Sequence, residues 1–463
     1  MYRNKIDSLK RKSRITNNCF NLLLILPAGA IHRAKTGIFK KSLRYAPLTL
    51  TYLASLIPKD LNINLKILDE GTDNLSSLNF DPDLVGISAM TATSTRAYAI
   101  ADNYRQKGIP VVLGGVHPTL MPEEALSHAD SVVVGFAERV FPELLRDFSQ
   151  NKMKRIYEDP GNFPTENIPI PKRDLLKKNS YITLNSMMAT RGCPCNCSFC
   201  AVPNVWRKNY FKRPVSKILE EIKTLDGNEV VFIDVHLLGD KEYSKELLEG
   251  LKPLKKSWFG LSTANALFDK EILDAVAESG CKGLLIGFET ISPDSLKEIH
   301  KNPKIVTKYS DLLRNLHDNG IRVNGTFLFG TDHEDKGVFE RTVEFIDKIK
   351  IDLPRYSVFT PYPGTPIFKK LEEEKRIIEY DWSMYDVEHV VYKPKNMKPE
   401  ELEEGLHWAW RETYKLKSVL GRLNGTRSLY WLGLLLNLGY KYYAWKLPKC
   451  TKEIISEINL ESK

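Results

Sequence analysis

Short apolar runs of strand length alternate with helical segments along the first third of the chain. Between residues 20 and 150 the predicted strands are 21–26, 64–68, 84–88, 111–113 and 131–134. Apolar runs without polar alternation indicate strands that are buried on both faces, as in a parallel sheet covered by helices. The pattern therefore predicts a five-stranded, doubly wound, Rossmann-like α/β domain over residues 19–150.

A different pattern follows in the middle of the chain. Residues 151–180 hold four prolines and little periodicity, which predicts a linker. Strand–helix alternation resumes over residues 181–395 with six units, too few for a complete eight-fold barrel. We expect an open, partial (β/α)6 barrel of the TIM type there. Residues 396–463 lose the alternation and become helical, which predicts a smaller C-terminal unit.

Charge changes this picture only at the two ends of the chain. The net charge is +9, and residues 1–18 form a basic tail with six Lys or Arg against one Asp. Residues 405–450 carry eight Lys or Arg against one Glu. Positive charge at both ends, without one continuous stripe, does not favour a nucleic-acid partner. No secretory signal and no bilayer-spanning apolar run is evident, so we expect a cytoplasmic protein.

Four of the seven cysteines lie within eight residues, directly after the first predicted barrel strand. Cys193, Cys197 and Cys200 have the spacing Cys-x3-Cys-x2-Cys. Three closely spaced thiolates are typical of iron–sulfur ligation and leave one iron of a cubane without a protein ligand. A structural zinc site is the alternative, but no second Cys or His pair lies nearby in sequence. We interpret the isolated Cys19, Cys281 and Cys450 as ordinary thiols.

This motif resembles that of the radical S-adenosylmethionine (SAM) superfamily, in the subgroup with an N-terminal cobalamin-binding domain. The resemblance spans about residues 20–445 and implies a [4Fe-4S] cluster on Cys193, Cys197 and Cys200. It also implies that the open iron binds SAM, whose reductive cleavage gives a 5′-deoxyadenosyl radical. Cobalamin is the second implied cofactor, a flavodoxin or ferredoxin the expected reductant, and a monomer the expected state.

Two residues inside the motif each have two possible roles. The family usually has an aromatic residue where this chain has Cys195, and Cys195 could replace Cys193 as a ligand. The family spacing is complete without Cys195, so we favour Cys193. Phe199 matches the aromatic that packs against the SAM adenine in the family, and packing in the core is its other interpretation.

Later barrel strands supply the other SAM contacts that the resemblance implies. Asp234 stands where the family often has an acidic pair near the SAM amino group, although Val235 replaces the second member. Glu289 matches the acidic residue that faces the ribose hydroxyls, and a strand-end salt bridge is its alternative. Gly325 begins the Gly-Thr-Phe-Leu-Phe-Gly strand whose backbone approaches adenine in the family.

The N-terminal domain matches the cobalamin-binding pattern in part. Ser88 resembles the serine of the family's Ser-x-Leu motif, and Gly114 and Gly115 would let a nucleotide tail approach the backbone. His32 lies where the lower-ligand histidine would be, but the Asp and Gly that normally flank it are absent. We therefore expect cobalamin to bind without a protein histidine, with an empty relic domain as the alternative. His117 could line this pocket or cap a turn.

The resemblance favours cobalamin-dependent methylation of an unactivated carbon in a small or lipid-like substrate. The alternatives are an oxidative cyclase or rearrangement enzyme and, from another class, a non-catalytic cobalamin- or iron-sensing module. The aromatic, basic C-terminal segment has two interpretations as well. Its aromatics could pack as core, or they could form a peripheral membrane contact.

Overall fold

The computed structural model describes residues 19–29, 45–161, 165–426 and 428–461, without the side chains of Asn167 and of residues 448–461. These residues form two compact units. The first comprises the described residues up to Leu184 together with Asn204–Arg207 and Asp381–Ser383. The second comprises Asn185–Pro203, Lys208–Tyr380 and Met384–Lys463. The basic tail, His32 and the side chain of Cys450 lie outside the described residues.

The first unit contains a parallel sheet of six strands. They are β1 Cys19–Leu26, β2 Asn62–Asp69, β3 Leu84–Ser88, β4 Val111–Gly114, β5 Ser131–Val134 and β6 Ile156–Glu158, in the order β2-β1-β3-β4-β5-β6. The doubly wound α/β prediction is confirmed, but the expected number of five strands was wrong. Strand β6 lies in the stretch interpreted as linker, because its three residues include a single buried side chain, Tyr157, and no apolar run.

Helices cover both faces of this sheet. They are α1 Thr49–Ser55, α2 Thr91–Gln106, α3 Val116–Leu120, α4 Pro122–His128 and α5 Ala137–Ser149. On one face Leu23, Val85 and Leu113 pack with Ala97 and Ile100 of α2. On the other face Leu22, Leu24 and Val112 pack with side chains of α1 and α5, including Leu50, Phe141 and Leu144. Successive residues of each strand thus supply two separate cores, as strand geometry requires.

The described residues of the second unit form eight strands, six of which make a parallel sheet. Its strands are β7 Ser186–Met187, β8 Thr190–Gly192, β9 Tyr210–Lys212, β10 Glu229–Phe232, β11 Ser257–Thr263, β12 Cys281–Glu289, β13 Arg322–Phe329 and β14 Leu353–Val358. The sheet order is β14-β13-β12-β11-β10-β7, while β8 and β9 form a separate antiparallel pair. The prediction of a partial six-stranded barrel is confirmed. The first barrel strand, expected over 182–190, is confined to β7.

The helices of the second unit follow its strands. A short helix, α6 Val202–Val205, has residues in both units. The others are α7 Val215–Lys223, α8 Lys241–Leu251, α9 Lys270–Glu278, α10 Pro293–Glu298, α11 Tyr309–Asp318, α12 Val338–Ile349, α13 Pro366–Glu373, α14 Pro399–Thr413, α15 Leu416–Leu423 and α16 Tyr430–Glu461. Alternate strand residues such as Phe288, Phe327 and Phe329 are buried against the helices. The opposite set, which includes Thr263, Glu289 and Thr326, is partly exposed and lines the inner face of the sheet.

The division into two units is coarser than the five sequence segments. The predicted boundaries at 18, 150, 180 and 395 stay predictions. Among the residues that the structure describes, no helix is long and apolar enough to cross a membrane.

Candidate active site

The four clustered cysteines lie in the connection between β8 and β9. This antiparallel pair closes the loop at its base, with Thr190 opposite Lys212 and Gly192 opposite Tyr210. Gly192 has a φ of 86°, a left-handed conformation that glycine adopts without a steric cost. Further along, the Cys200 amide donates to the Cys197 carbonyl at 3.2 Å, forming a turn. The sequence therefore presents its thiols on a short loop with a fixed base.

Neighbouring segments hold the tip of this loop. The Ser198 hydroxyl donates to the Glu298 carbonyl at 3.4 Å, and the Ile367 amide donates to the Ser198 carbonyl at 3.3 Å. His300 Nδ1 lies 3.2 Å from the Asn196 carbonyl. The loop is thus tied to the end of α10 and the start of α13, which restricts the positions that its thiols can take.

All four thiols are half-buried, and a negative charge on one thiol raises the pKa of its neighbours. A hydrogen bond between the Cys193 and Cys195 side chains raises the pKa of Cys193 and lowers that of Cys195 to about 6. Burial raises the pKa of Cys197 to about 12 and also raises that of Cys200. Because Cys195 lies beside Cys193, either sulfur is placed to serve as the first ligand of a cluster.

No three thiol, imidazole or carboxylate groups among the described residues are gathered around the position of a single metal ion. A cubane differs from a single ion because it takes each thiolate on a separate iron atom. The donor set of Cys193, Cys197 and Cys200 fits that requirement in number and in chemistry. A [4Fe-4S] cluster therefore needs three thiolates on one loop and does not need three ligands gathered around a single metal ion.

Asp234 is fully buried and is bonded to the backbone that leads into the cysteine loop. Its carboxylate accepts hydrogen bonds from the Ala189 amide at 3.0 Å, from the Thr190 hydroxyl at 2.7 Å and from the Thr190 amide. Burial raises the pKa of Asp234 to about 6, although these hydrogen bonds act in the opposite direction. The contact with SAM stays a prediction, whereas the bonds shown make Asp234 a residue that positions the loop.

Glu289 ends β12 with a φ of 65° and pairs with Lys301. The Lys301 ammonium donates to the Glu289 carboxylate at 2.6 Å and to the Gly287 carbonyl at 3.3 Å. Burial lowers the pKa of Lys301, but the Glu289 carboxylate and the nearby thiols more than offset this, so the pKa lies above its usual value. The alternative of a strand-end salt bridge is therefore present, and the ribose contact stays a prediction.

Lys301 is a functional candidate that the sequence reasoning missed. It is largely buried and interacts electrostatically with Cys195 and Cys197. Eleven residues, which include helix α10, separate it from Glu289 in the sequence, and the return of the chain after α10 brings the two together. A lysine just after a helix that follows a barrel strand was the available signal.

Gly325 and Phe199 both have packing roles in the structure. A Cβ atom at Gly325 would lie 2.9 Å from Ile351 and 3.2 Å from Phe288, so this glycine permits packing on the helix-covered face of β13. The half-buried Thr326 beside it lies on the inner face instead. The Phe199 ring lies 5.9 Å from the Phe359 ring. The adenine contacts of both residues stay predictions.

His236 is a second candidate that the sequence reasoning missed. It follows β10, is 3% exposed, and has Nε2 3.3 Å from the Thr263 hydroxyl. Its Nδ1 has no hydrogen-bond partner in the part of the chain that the structure describes. Burial, with the Lys301 charge, lowers the pKa of His236 to about 4, so the imidazole is neutral at pH 7. A buried, unsatisfied ring nitrogen at the carboxyl ends of β10 and β11 is suited to a polar group of a bound molecule.

In the first unit, Ser88 and the two predicted glycines lie together at the carboxyl edge of the sheet. Gly115 has a φ of 101°, and a Cβ atom there would lie 2.8 Å from the Ser88 hydroxyl and the Ala89 carbonyl. The chain itself therefore requires Gly115. Gly114 is different, because among the described residues its Cβ would meet only Val133, at 3.5 Å. Of the two, Gly114 is the position where a methyl group is compatible with the fold, so close approach of a ligand can be tested there.

His117 is enclosed by protein on all sides. Its side chain is 0% exposed, with Nδ1 3.3 Å from the Thr91 hydroxyl and Nε2 3.4 Å from the Glu124 carboxylate. Trp382, from the 381–383 segment of this unit, donates its indole N–H to the same carboxylate at 2.8 Å. His117 thus serves as a buried connector after β4, a role closer to the turn-capping alternative than to a pocket lining.

Comparison with known proteins identifies both halves of this arrangement. The model of the Radical SAM superfamily matches residues 187–346, and that of the B12 binding domain matches residues 44–145. A bacteriochlorophyllide d C-12(1)-methyltransferase of Chlorobaculum tepidum is 33% identical over 83% of this chain and 86% of its own length. The chain belongs to the radical SAM superfamily. Within it, the chain falls in the group that carries a B12-binding domain.

Two further similarities support the assignment of this chain to the radical SAM group with a B12-binding domain. The bacteriochlorophyllide d C-8(2)-methyltransferase of the same organism is 30% identical over 84% of this chain and 89% of its own length. The cobalamin-dependent S-adenosylmethionine radical enzyme OxsB has a similar fold, with a TM-score of 0.64 at 14% identity over 96% of this chain and 75% of its own. The expected cofactor set of [4Fe-4S] cluster, SAM and cobalamin is confirmed at the level of the family.

The comparisons also decide between the predicted activities. Both of these relatives are methyltransferases by name, which supports methyl transfer over ring formation and over a non-catalytic sensor. The radical SAM protein is therefore an enzyme of the methyltransferase type. A small-molecule substrate and a need for a reductant accompany that assignment.

Proposed function

We propose that this enzyme methylates an unactivated carbon of a large, apolar, ring-built small molecule. The observation that carries the proposal is the 33% identity to a bacteriochlorophyllide d methyltransferase over most of both chains. The two relatives act on one such molecule, according to their names. Identity at this level supports the class of substrate rather than the same compound.

We assign the cluster to Cys193, Cys197 and Cys200, with Cys195 beside them as a spare thiol. When bound, the cluster, SAM and cobalamin supply the radical and the methyl group. The protein contributes placement: the β8–β9 pair fixes the base of the loop, and Asp234 holds the Ala189–Thr190 backbone before it. Bonds from Ser198 and to Asn196 fix its tip.

We assign the binding of SAM to the inner face next to this loop. The Lys301 ammonium, close to Cys197 and held by Glu289, is suited to pair with the carboxylate of SAM. Glu289 retains a second carboxylate oxygen for a ribose hydroxyl. His236 offers a neutral imidazole nitrogen to the SAM amino group or to a polar group of the substrate. Phe199, Asp234 and Gly325 remain the further candidates for SAM contacts.

We assign cobalamin to the carboxyl edge of the first sheet, at Ser88, Gly114 and Gly115. Small residues after β3 and β4 leave the backbone accessible there, which is where parallel sheets bind nucleotide-like groups. We also propose that the protein is a cytoplasmic monomer that receives electrons from a flavodoxin or ferredoxin and contacts a membrane surface.

Anaerobic turnover with SAM, cobalamin, a reductant and two substrate panels tests this function. One panel contains chlorin-type tetrapyrroles and the other contains small polar acids and peptides. We expect methylated product from the apolar ring panel alone. Methylation confined to the polar panel would contradict the substrate class while leaving the methyltransferase assignment intact.

A further inference from the structure

The last helix, α16, has two apolar faces rather than one. A buried stripe consists of Gly433, Asn437, Tyr440, Ala444 and Leu447. An exposed stripe consists of Trp431, Leu435, Leu438, Tyr442 and Trp445. Each stripe has the spacing of four and three residues that keeps side chains on one side of a helix. The helix therefore presents a continuous apolar surface away from the protein that it packs against.

The buried stripe explains how α16 is held. Asn437 donates to the Asp352 carbonyl at 3.1 Å and accepts from the Arg422 guanidinium at 3.1 Å. Tyr440 packs against Trp410, with ring centroids 5.8 Å apart. These contacts account for one face, and they confirm core packing for part of the aromatic segment. They leave the exposed stripe unexplained.

The exposed stripe is too apolar for an ordinary water-facing surface. Trp431 is 77% exposed, Trp445 61% and Leu435 60%. On the preceding helix α15, Leu416 and Leu420 are 52% and 50% exposed at a spacing of four residues. Scattered apolar side chains are normal on a protein surface, but a regular stripe that includes two tryptophans indicates a binding face.

The charge of this region selects the partner. Residues 413–452 contain eight Lys or Arg and no Asp or Glu. Four of these lysines, Lys415, Lys417, Lys441 and Lys446, are exposed beside the two apolar helices. A second copy of the chain would bring like charges together along the same surface, which disfavours a helix pair. A surface with negative charge and an apolar interior complements both features.

We propose that the exposed stripe of α16, with Leu416 and Leu420 of α15, binds the surface of an anionic lipid bilayer. Tryptophan and tyrosine side chains favour the boundary between headgroups and acyl chains, and lysines beside them pair with anionic headgroups. The span from Trp431 to Trp445 is about 21 Å, so α16 lies along the membrane with one face inserted. The buried stripe remains on the protein.

Vesicle flotation of the full-length protein tests this proposal. The probes are vesicles of phosphatidylcholine alone and vesicles with phosphatidylglycerol added at roughly a seven-to-three ratio. We expect the wild type to float with the anionic vesicles about tenfold more tightly than with the neutral ones, and high salt to reduce the difference. Equal or negligible flotation with both would overturn the proposal.

Matched variants keep the result specific. The triple variant Trp431→Ser, Leu435→Ser and Trp445→Ser removes the three most exposed side chains of the stripe, and we expect it to lose flotation about tenfold or more. Ile182→Ser and Tyr380→Ser change side chains that are 54% and 56% exposed elsewhere, and we expect wild-type flotation. A triple variant that floats like the wild type would overturn the proposal. So would a wild-type dimer that the triple variant converts to a monomer, because the stripe would then bind a second copy.

The proposal does not depend on the substrate. Trp431, Leu435 and Trp445 lie on the exposed stripe of α16. Iron content and cleavage of SAM are therefore expected to be unchanged in the triple variant. A loss of flotation with intact cleavage of SAM supports the membrane-binding face by itself.

Discussion

The Lys301 ammonium lies 2.6 Å from the Glu289 carboxylate, and both side chains are largely buried next to the cysteine loop. This pair joins the end of β12 to the chain that returns after α10. Removing only one partner from a buried ion pair leaves an uncompensated charge, whereas removing both does not. Comparing a single variant with the double variant therefore distinguishes a structural role of this pair from a role in binding SAM.

Replacing Lys301 with Met should lower the free energy of unfolding by about 3 kcal/mol, because Glu289 keeps a buried charge without a partner. The double variant Lys301→Met and Glu289→Gln should regain most of that stability. If the pair also binds SAM, with Lys301 on its carboxylate and Glu289 on a ribose hydroxyl, the double variant should still bind SAM about tenfold more weakly than the wild type. Denaturant unfolding and equilibrium dialysis measure the two effects, and wild-type SAM affinity in the double variant would limit Lys301 to a structural role.

Cys195→Ala should retain the full iron content after anaerobic reconstitution, since Cys193, Cys197 and Cys200 complete the ligand set. Cys193→Ala, Cys197→Ala and Cys200→Ala should each lose the cluster. Iron and sulfide analysis with electron paramagnetic resonance provides the readout. A full cluster in Cys193→Ala, together with a loss in Cys195→Ala, would transfer the first ligand position to Cys195.

Asp234 should make stability depend on pH between about 4 and 6. Its pKa is about 6 in the folded protein, against about 3.9 in an unfolded chain. The folded state therefore binds more protons in this window, and the contribution of Asp234 to stability falls as pH rises. Asp234→Asn should remove that fall, which is on the order of 2 to 3 kcal/mol.

Unfolding of the metal-free protein at a series of pH values measures this slope. Asp240→Asn is the matched control, because its hydrogen bond from Lys212 lowers the pKa of Asp240. That lowering gives a contribution of the opposite sign, which is lost as pH falls. Identical slopes for the wild type and Asp234→Asn would show that the buried carboxyl is not the source.

Gly114→Ala and Gly115→Ala should separate the binding of cobalamin from folding. An added methyl at Gly115 meets Ser88 and Ala89 in a left-handed conformation, so it should cost about 1 to 3 kcal/mol of stability. An added methyl at Gly114 makes an ordinary contact with Val133, so the fold should persist while the affinity for cobalamin drops. Thermal unfolding measures the stability of both variants, and calorimetric titration of the folded proteins with hydroxocobalamin measures their affinity for cobalamin. Unchanged affinity in Gly114→Ala would place the nucleotide tail elsewhere.

Much of this molecule could be predicted from the sequence because strong local patterns agree with the tertiary structure. Long apolar runs gave β1 and β3, and the cysteine spacing marked the loop between β8 and β9. The strand β6 could not be predicted, because its single buried residue, Tyr157, produces no periodicity. The candidate roles of Lys301 and His236 could not be predicted for another reason. They depend on which segments meet in space, and no local sequence pattern encodes such contacts.

The same distinction applies to the glycines. Gly115 and Gly325 were both interpreted as sites where a cofactor approaches the backbone. In the structure each is needed by the chain itself, Gly115 against Ser88 and Ala89, and Gly325 against Ile351 and Phe288. A sequence reveals that a side chain is excluded at such a position but does not reveal which neighbour excludes it.

The most direct test of the central claim is product analysis with SAM that carries a deuterated methyl group. The full-length protein, reconstituted anaerobically with iron, sulfide and cobalamin, is incubated with a reductant and a chlorin-type substrate. We predict that each methylated product carries the labelled methyl group and is accompanied by one S-adenosylhomocysteine and one 5′-deoxyadenosine. Formation of 5′-deoxyadenosine with an oxidised or cyclised product, without S-adenosylhomocysteine and without transfer of the label, would contradict the methyltransferase account.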